Sequence, residues 1–120
     1  MKIWKQSGHR WETIRAGVQN RILASEGHSA LSMIKFEKGA EFPLHKAKSR
    51  HFGVLVKGRG VFQSSKGKVS VNEGDSFLVE EGEDHAFTNT SDGESAVLEV
   101  FAPPSETQLS HAEQPVDIDF

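Results

Sequence analysis

Histidine is the residue type with the clearest capacity for chemistry in this chain. The chain has six histidines and no cysteine, so disulfides, thiolate metal sites and cysteine nucleophiles are excluded together. His45 and His51 stand six residues apart in "PLHKAKSRHFGVLVKGRG", and His85 follows in "GEDHAFTN". Three neutral imidazoles suit a divalent transition metal, Zn(II), Fe(II), Ni(II) or Cu(II), and leave positions for water or substrate.

Strand alternation relates these three histidines to one another. Side chains alternate across a β-strand, so His45 and Ala47 should face the same way. His51 and His85 each begin a predicted strand beside a turn. Three histidines at strand ends can converge at one mouth of a small barrel, and we predict that His45, His51 and His85 do so. The alternative, surface histidines on a barrel without metal, is not excluded by spacing.

Three cations lie between the first two histidines: Lys46, Lys48 and Arg50. They could attract an anionic substrate to the mouth of the barrel. Their alternation is more typical of solvated turn residues, and inside a cavity they would repel a metal ion. His9, His28 and His111 fall in terminal or turn segments, where we expect them at the surface.

A carboxylate and an aromatic residue share a face of the last predicted strand. Glu99 and Phe101 have the same parity in "SAVLEVFA". A carboxylate among Val97, Leu98, Val100 and Phe101 needs a partner or a role. Facing a cavity, Glu99 could act as a general acid/base; facing outward, it would be the polar half of an alternating strand. Phe101 could be a core aromatic or a substrate wall.

The elements that must position these residues are short strands. Apolar stretches recur between Gly, Asn, Asp and Ser at intervals that indicate an antiparallel all-β domain. Closing a barrel or a double sheet would hide the strand edges. We predict one domain over residues 1–120, with a barrel core near 17–102 and a polar tail at 103–120 that has a helical turn after Pro104. The predicted strands are 18–26, 29–37, 41–47, 52–58, 60–65, 68–72, 76–81, 85–90 and 95–102.

The net charge and the lengths of the apolar runs bear on which partners the protein can bind. The net charge is −3, which favours neither nucleic acid nor an anionic membrane. No apolar run approaches the roughly 20 residues of a membrane span. The start, "MKIWKQSGHRWETI", lacks the apolar core of a signal peptide, so a cytoplasmic protein is expected.

The chain resembles a single-domain cupin, which implies a double-stranded β-helix, or jelly-roll barrel. The first cupin motif is matched by Gly39, His45, His51 at the glutamate place and Gly58. Ala47 stands where the second histidine belongs. The second motif is matched at every spacing by Gly74, Gly82, His85 and Asn89, with Glu80 in place of proline.

Among cupins, the chain is most similar to KdgF-type proteins, in "WETIRAGVQNRIL", "FEKGAEFPLH" and "LEVFAPPSE". That resemblance implies linearisation of cyclic 4,5-unsaturated monouronates, with a metal held by His45, His51 and His85. It places the assisting acid and aromatic at Glu99 and Phe101, and implies a homodimer. The family's arginine after Pro-Pro falls at Ser105, so this cation is missing.

Three functions stay open at this point. The first is a metal-dependent isomerisation or ring opening of a sugar acid or related small carboxylate. The second is a three-histidine metal-dependent dioxygenase. The third is a binding protein without turnover, in which the metal site has degenerated; Ala47 and Ser105 favour it.

Overall fold

The computed structural model describes residues 1–7, 10–111 and 113–118. These residues form twelve strands and one helix. The strands are Lys2–Ile3 (β1), Glu12–Arg15 (β2), Val18–Glu26 (β3), Ser29–Phe36 (β4), Glu41–Lys46 (β5), His51–Lys57 (β6), Arg59–Ser64 (β7), Gly67–Asn72 (β8), Ser76–Val79 (β9), Asp84–Asn89 (β10), Ser95–Phe101 (β11) and Val116–Asp117 (β12); the helix is Glu106–His111 (α1).

All nine predicted strands are confirmed, as β3 to β11, with ends that differ by at most two residues. These strands were predictable because apolar and polar residues alternate along them and turn residues separate them. The all-β jelly-roll prediction is therefore confirmed. In the described part of the chain no helix is long and apolar enough to cross a membrane.

Two antiparallel sheets form the barrel. The larger has the order β2-β3-β4-β11-β6-β9, and the smaller has the order β5-β10-β7-β8. Their inner faces bury an apolar core of Val18, Phe36, Leu55, Phe87 and Val97. Residues of both sheets thus share one core, as in a β-sandwich closed into a barrel.

Asn89 joins the two sheets at the end of the barrel away from the histidines. Its side chain is 2% exposed, and its Nδ2 donates to the carbonyl oxygens of Phe36 (3.1 Å), Glu37 (3.0 Å) and Gly93 (2.8 Å). Asn89 lies on β10 of the smaller sheet, whereas Phe36 ends β4 of the larger one. Since buried amides need hydrogen-bond partners, this network fixes the relative position of the sheets.

The segment after the barrel packs on the barrel itself. Helix α1 lies against β3, and His111 Nδ1 is 3.1 Å from Glu12 Oε2 on β2. Strand β12 then pairs with β1, Ile3 opposite Val116. The helical turn predicted after Pro104 is confirmed, and it begins at Glu106.

Candidate functional site

The three predicted histidines line one cavity at the mouth of the barrel. The cavity has a volume of about 350 Å³. His45 on β5 lies opposite His85 on β10 in the strand register, and His51 begins β6 of the other sheet. The ring centroids of His45 and His85 are 4.1 Å apart, and those of His51 and His85 are 5.4 Å apart. The structure therefore brings His45, His51 and His85 together.

Two turns hold the histidines in place. The backbone N–H of Ala47 donates to Glu83 O (3.0 Å), and the N–H of Gly82 donates to Ala47 O (2.8 Å). Gly82 has a φ of 80°, in the left-handed region that favours glycine. The turn after His45 is thus bonded directly to the turn before His85.

Each of the three rings is oriented by a backbone carbonyl two residues earlier. A carbonyl can only accept, so Nδ1 of each ring carries the hydrogen and Nε2 of the neutral ring carries the lone pair. This tautomer suits both a metal ligand and a proton acceptor. The Nδ1-to-oxygen distances are 2.9 Å for His45 to Pro43, 3.0 Å for His51 to Ser49 and 3.4 Å for His85 to Glu83.

Glu99 faces the cavity. It is 6% exposed, and its Oε2 is 3.1 Å from Nε2 of His51, which is itself 4% exposed. Because the Ser49 carbonyl takes the Nδ1 hydrogen, this short contact needs a second proton between Nε2 and Oε2. Burial lowers the pKa of His51, but the hydrogen bond and the charge of Glu99 outweigh burial and raise the pKa above its ordinary value.

His85 has the opposite electrostatic environment. Burial lowers its pKa, and positive charge on His45 or His51 would lower it further, against the opposing effects of the Glu83 carbonyl and Glu99. His85 is therefore neutral at pH 7 and keeps its Nε2 lone pair.

Phe101 covers the buried pair. Its ring centroid is 4.6 Å from that of His51, at an interplanar angle of 31°. The ring is partly exposed and lines the cavity. Of the two interpretations left open for Phe101, the position corresponds to a cavity wall.

The rim of the cavity is polar. Lys46 and Lys48 line it, and Lys46 Nζ is 3.5 Å from Asp84 Oδ1. Arg50 turns away from the cavity, with its Nε 3.2 Å from both carboxylate oxygens of Glu80. The three predicted turn cations thus divide into two at the rim and one paired outside.

Ser105 and Gln108 bring the C-terminal segment to this rim. Gln108 N donates to Ser105 Oγ (3.2 Å), and Ser105 N donates to Gln108 Oε1 (2.7 Å), which is a capping box. Both residues line the cavity, as does Asn20 on β3. Sequence reasoning missed Gln108, although "SETQ" carries the capping-box spacing that could have revealed it.

The remaining histidines lie apart from this cluster. His28 is exposed in the turn between β3 and β4, and His111 is exposed beside Glu12. Both agree with the surface placement expected for them. His9 lies outside the described residues.

The chemistry of the donor set fits a transition metal. In their neutral forms His45 and His85 each present an Nε2 lone pair, and His51 does so once the proton it shares with Glu99 is lost. Glu99 Oε1 is buried with no hydrogen-bond partner among the described residues. Against this, no three His, Asp or Glu side chains among the described residues are arranged to hold a metal ion as they stand. The contact between His51 and Glu99 occupies one of the donors, and Ala47 contributes none.

Comparison with known proteins assigns the family. The family model described as the cupin domain matches residues 32–101. The chain belongs to the cupin family, and the predicted resemblance is confirmed. A search of curated proteins finds no match.

Solved structures share the fold at low sequence identity. KdgF from Halomonas sp. aligns with a TM-score of 0.80 and 22% identity, covering 88% of this chain and 97% of that one. An RmlC-like cupin from Shewanella frigidimarina aligns with a TM-score of 0.79 and 22% identity, covering 88% and 93%. The polyketide cyclase RemF from Streptomyces resistomycificus aligns with a TM-score of 0.77 and 16% identity, covering 99% and 87%. At these identities the likeness concerns the fold.

Proposed function

We propose that this protein is a metal-dependent cupin enzyme that isomerises or ring-opens a sugar acid or a related small carboxylate. The observation that carries the proposal is the convergence of three histidines and a buried carboxylate in one accessible cavity. The similarity of the fold to KdgF from Halomonas sp. supports the reaction class.

His45, His51 and His85 would hold the metal, and a bound divalent ion supplies Lewis-acid polarisation of a substrate oxygen. Glu99 accepts a proton from the substrate carbon and returns it to a neighbouring atom, since its Oε1 has no other partner. Metal binding by His51 Nε2 would displace the proton shared with Glu99 and leave Glu99 free to act as the base. Phe101 packs on the His51 ring and holds it in place. Lys48, exposed at the rim, attracts the anionic substrate in place of the cation missing at Ser105.

The first experiment measures metal content and turnover together. Protein made without a histidine tag is analysed for Zn, Fe, Ni and Cu, then assayed for the loss of absorbance of a 4,5-unsaturated monouronate. We expect close to one equivalent of metal after reconstitution, and an absorbance that falls faster with protein than without it. The variant His85→Ala should lose both properties, whereas the matched surface variant His28→Ala should keep them. Absence of acceleration by fully metallated protein would contradict this substrate class.

A binding protein without turnover is the second candidate, because the donors are not arranged around a common point as they stand. It predicts little retained metal, no thermal stabilisation when metal is added, and ligand binding that survives His85→Ala. The dioxygenase alternative stays a prediction, to be tested by oxygen consumption with Fe(II).

We also propose a homodimer formed through the outer face of the larger sheet. Val100 lies opposite Phe52, and Phe52 lies opposite Leu78, across the neighbouring strands β11, β6 and β9. All three are exposed, Phe52 at 53%. A contiguous apolar strip of this kind is typical of a protein interface.

A further inference from the structure

The cavity continues past the histidines into a chamber lined by aromatic rings. Six of the chain's eight phenylalanines line the cavity. Phe87 lies one step inward from His85 along β10, opposite Phe42 on β5 and Phe62 on β7. Phe77 on β9 joins them from the other sheet. The walls of this phenylalanine chamber are completed by Ile34, Phe36 and Val97.

The aromatic rings form a continuous wall. The centroid of Phe62 is 4.5 Å from that of Phe77 and 4.8 Å from that of Phe87. Phe87 in turn is 4.7 Å from Phe36. Phe42, Phe62 and Phe77 are only partly buried although they point into the barrel, because part of each ring faces the cavity.

Two glycines make room for these rings. A Cβ at Gly53 would lie 2.1 Å from the Phe77 ring, and a Cβ at Gly60 would lie 2.3 Å from the Phe87 ring. The rings therefore rest directly on backbone, at places where any other residue would displace them. The chamber has a definite shape set by these contacts.

Polar groups are concentrated toward one end of the cavity. The histidines and Glu99 form a band near the mouth, with Lys46, Lys48, Ser49, Ser105 and Gln108 at the rim. Among the described lining residues beyond that band, Asn20 is the one polar side chain. A ligand with hydroxyl groups around its whole perimeter would bury several of them without partners, which is unfavourable.

We infer that the substrate is a small carboxylate with a flat, mostly hydrocarbon body, which lies among the phenylalanines while its oxygen atoms meet the histidine band. Planar π systems stack favourably on aromatic walls. The volume is sufficient, since an engineered apolar cavity of about 150 Å³ already binds benzene and this cavity holds about 350 Å³. The inference rests on the proposed function for the location of the site, and among the small carboxylates proposed there it favours those with few hydroxyl groups on the part that enters the chamber.

The test compares two carboxylates of equal charge. Cinnamate has a flat hydrocarbon body, and glucuronate carries hydroxyl groups around its ring. Binding to metal-free and Zn(II)-loaded protein is measured by calorimetry and by ligand-observed NMR. We expect cinnamate to bind at least about tenfold more tightly than glucuronate, a difference that a single unpaired buried hydroxyl can produce. Its ring protons should shift upfield in the aromatic chamber.

Variants of the lining residues test whether cinnamate binds inside the chamber. Ile34→Phe fills the chamber and should weaken cinnamate binding at least about tenfold by steric exclusion. Met33→Phe is the matched control, because Met33 directly precedes Ile34 on β4 and strand alternation points its side chain to the opposite face of the sheet. If Ile34→Phe does not fold, Phe77→Leu serves instead, and it should diminish the upfield shift. Glucuronate binding as tightly as cinnamate, binding of neither probe, or cinnamate binding unchanged in the chamber variants would overturn the inference.

The cinnamate binding test and the monouronate turnover assay can succeed or fail independently. Cinnamate binding in the chamber together with no turnover of the monouronate would contradict the uronate activity and support the inference. Turnover of the monouronate with preferential binding of glucuronate would support the activity and overturn the inference.

Discussion

Glu99 decides much of the chemistry of the cavity at the scale of single residues. Its contact with His51 places one proton between two buried groups, and Phe101 covers the pair. Strand parity predicted that Glu99 and Phe101 share a face, but not which way the face points. The register of β11 against β6 shifts between Ala96 and Val97, and such a bulge cannot be read from one strand's alternation.

The stability of the metal-free protein should depend on pH through His51. Its pKa in the folded protein lies above the ordinary value of 6.5, so the interaction with Glu99 stabilises the fold fully below about pH 6.5 and is lost as pH rises through the raised pKa. Urea unfolding of wild type and Glu99→Gln should therefore show a difference in the free energy of unfolding that shrinks as pH rises.

The control for this titration is Glu12→Gln. Glu12 also faces a histidine, His111, but both side chains are largely exposed, so its removal should change stability little at any pH. A difference between wild type and Glu99→Gln that grows with pH would show that the sign assigned to His51 is wrong.

Ala47 is the residue to change to strengthen metal binding. It is 5% exposed, lines the cavity and follows His45 by two residues. In Ala47→His a further imidazole joins the donors, and we expect Zn(II) affinity to rise by at least about tenfold in a competitive chelator titration. Lys48→His, one position further along the turn, is the matched control and should not raise it. Equal affinities of Ala47→His and wild type would count against a metal at this place.

At the scale of elements, the barrel strands and the helical turn after Pro104 were predictable, whereas the short strands around the barrel were not. Strands β3 to β11 combine apolar alternation with turn residues at both ends. Strands β1 and β12 have two residues each, and all four residues of β2 are exposed. Without a buried face these strands have no alternation to detect, and their positions follow from pairing alone. The position of α1 at the cavity rim likewise depends on tertiary contacts.

The variant Gly53→Ala tests how tightly the Phe77 ring packs against the backbone of β6. Gly53→Ala places a methyl group 2.1 Å from the Phe77 ring as it stands, so we expect destabilisation of about 1–3 kcal/mol in urea unfolding. Gly27→Ala, in the β3–β4 turn with no atom within 4 Å of the added Cβ, should stay within about 0.5 kcal/mol of wild type. Similar values for the two variants would mean that Phe77 moves aside at little cost.

At the scale of the whole molecule, the larger sheet has an apolar outer strip that the folded chain leaves exposed. Val100 lies at the β11 end of this strip and is 42% exposed. If the proposed homodimer forms there, Val100→Lys should weaken self-association strongly, because it would bury an unpaired ammonium group in the interface. Sedimentation equilibrium over a range of concentrations measures this. Val69→Lys changes a 64% exposed valine of β8, on the smaller sheet, and should leave association unchanged; a wild type that is monomeric throughout would contradict the proposal.

The Asn89 network has a consequence for how the barrel moves. Its hydrogen bonds connect the two sheets at the end of the barrel opposite the histidines, beside the apolar core. We therefore expect local opening of the barrel to be concentrated at the mouth, where this network does not connect the sheets. Amide protons near the base should be the slowest to exchange with deuterated solvent, while a ligand can reach the interior without the fold coming apart.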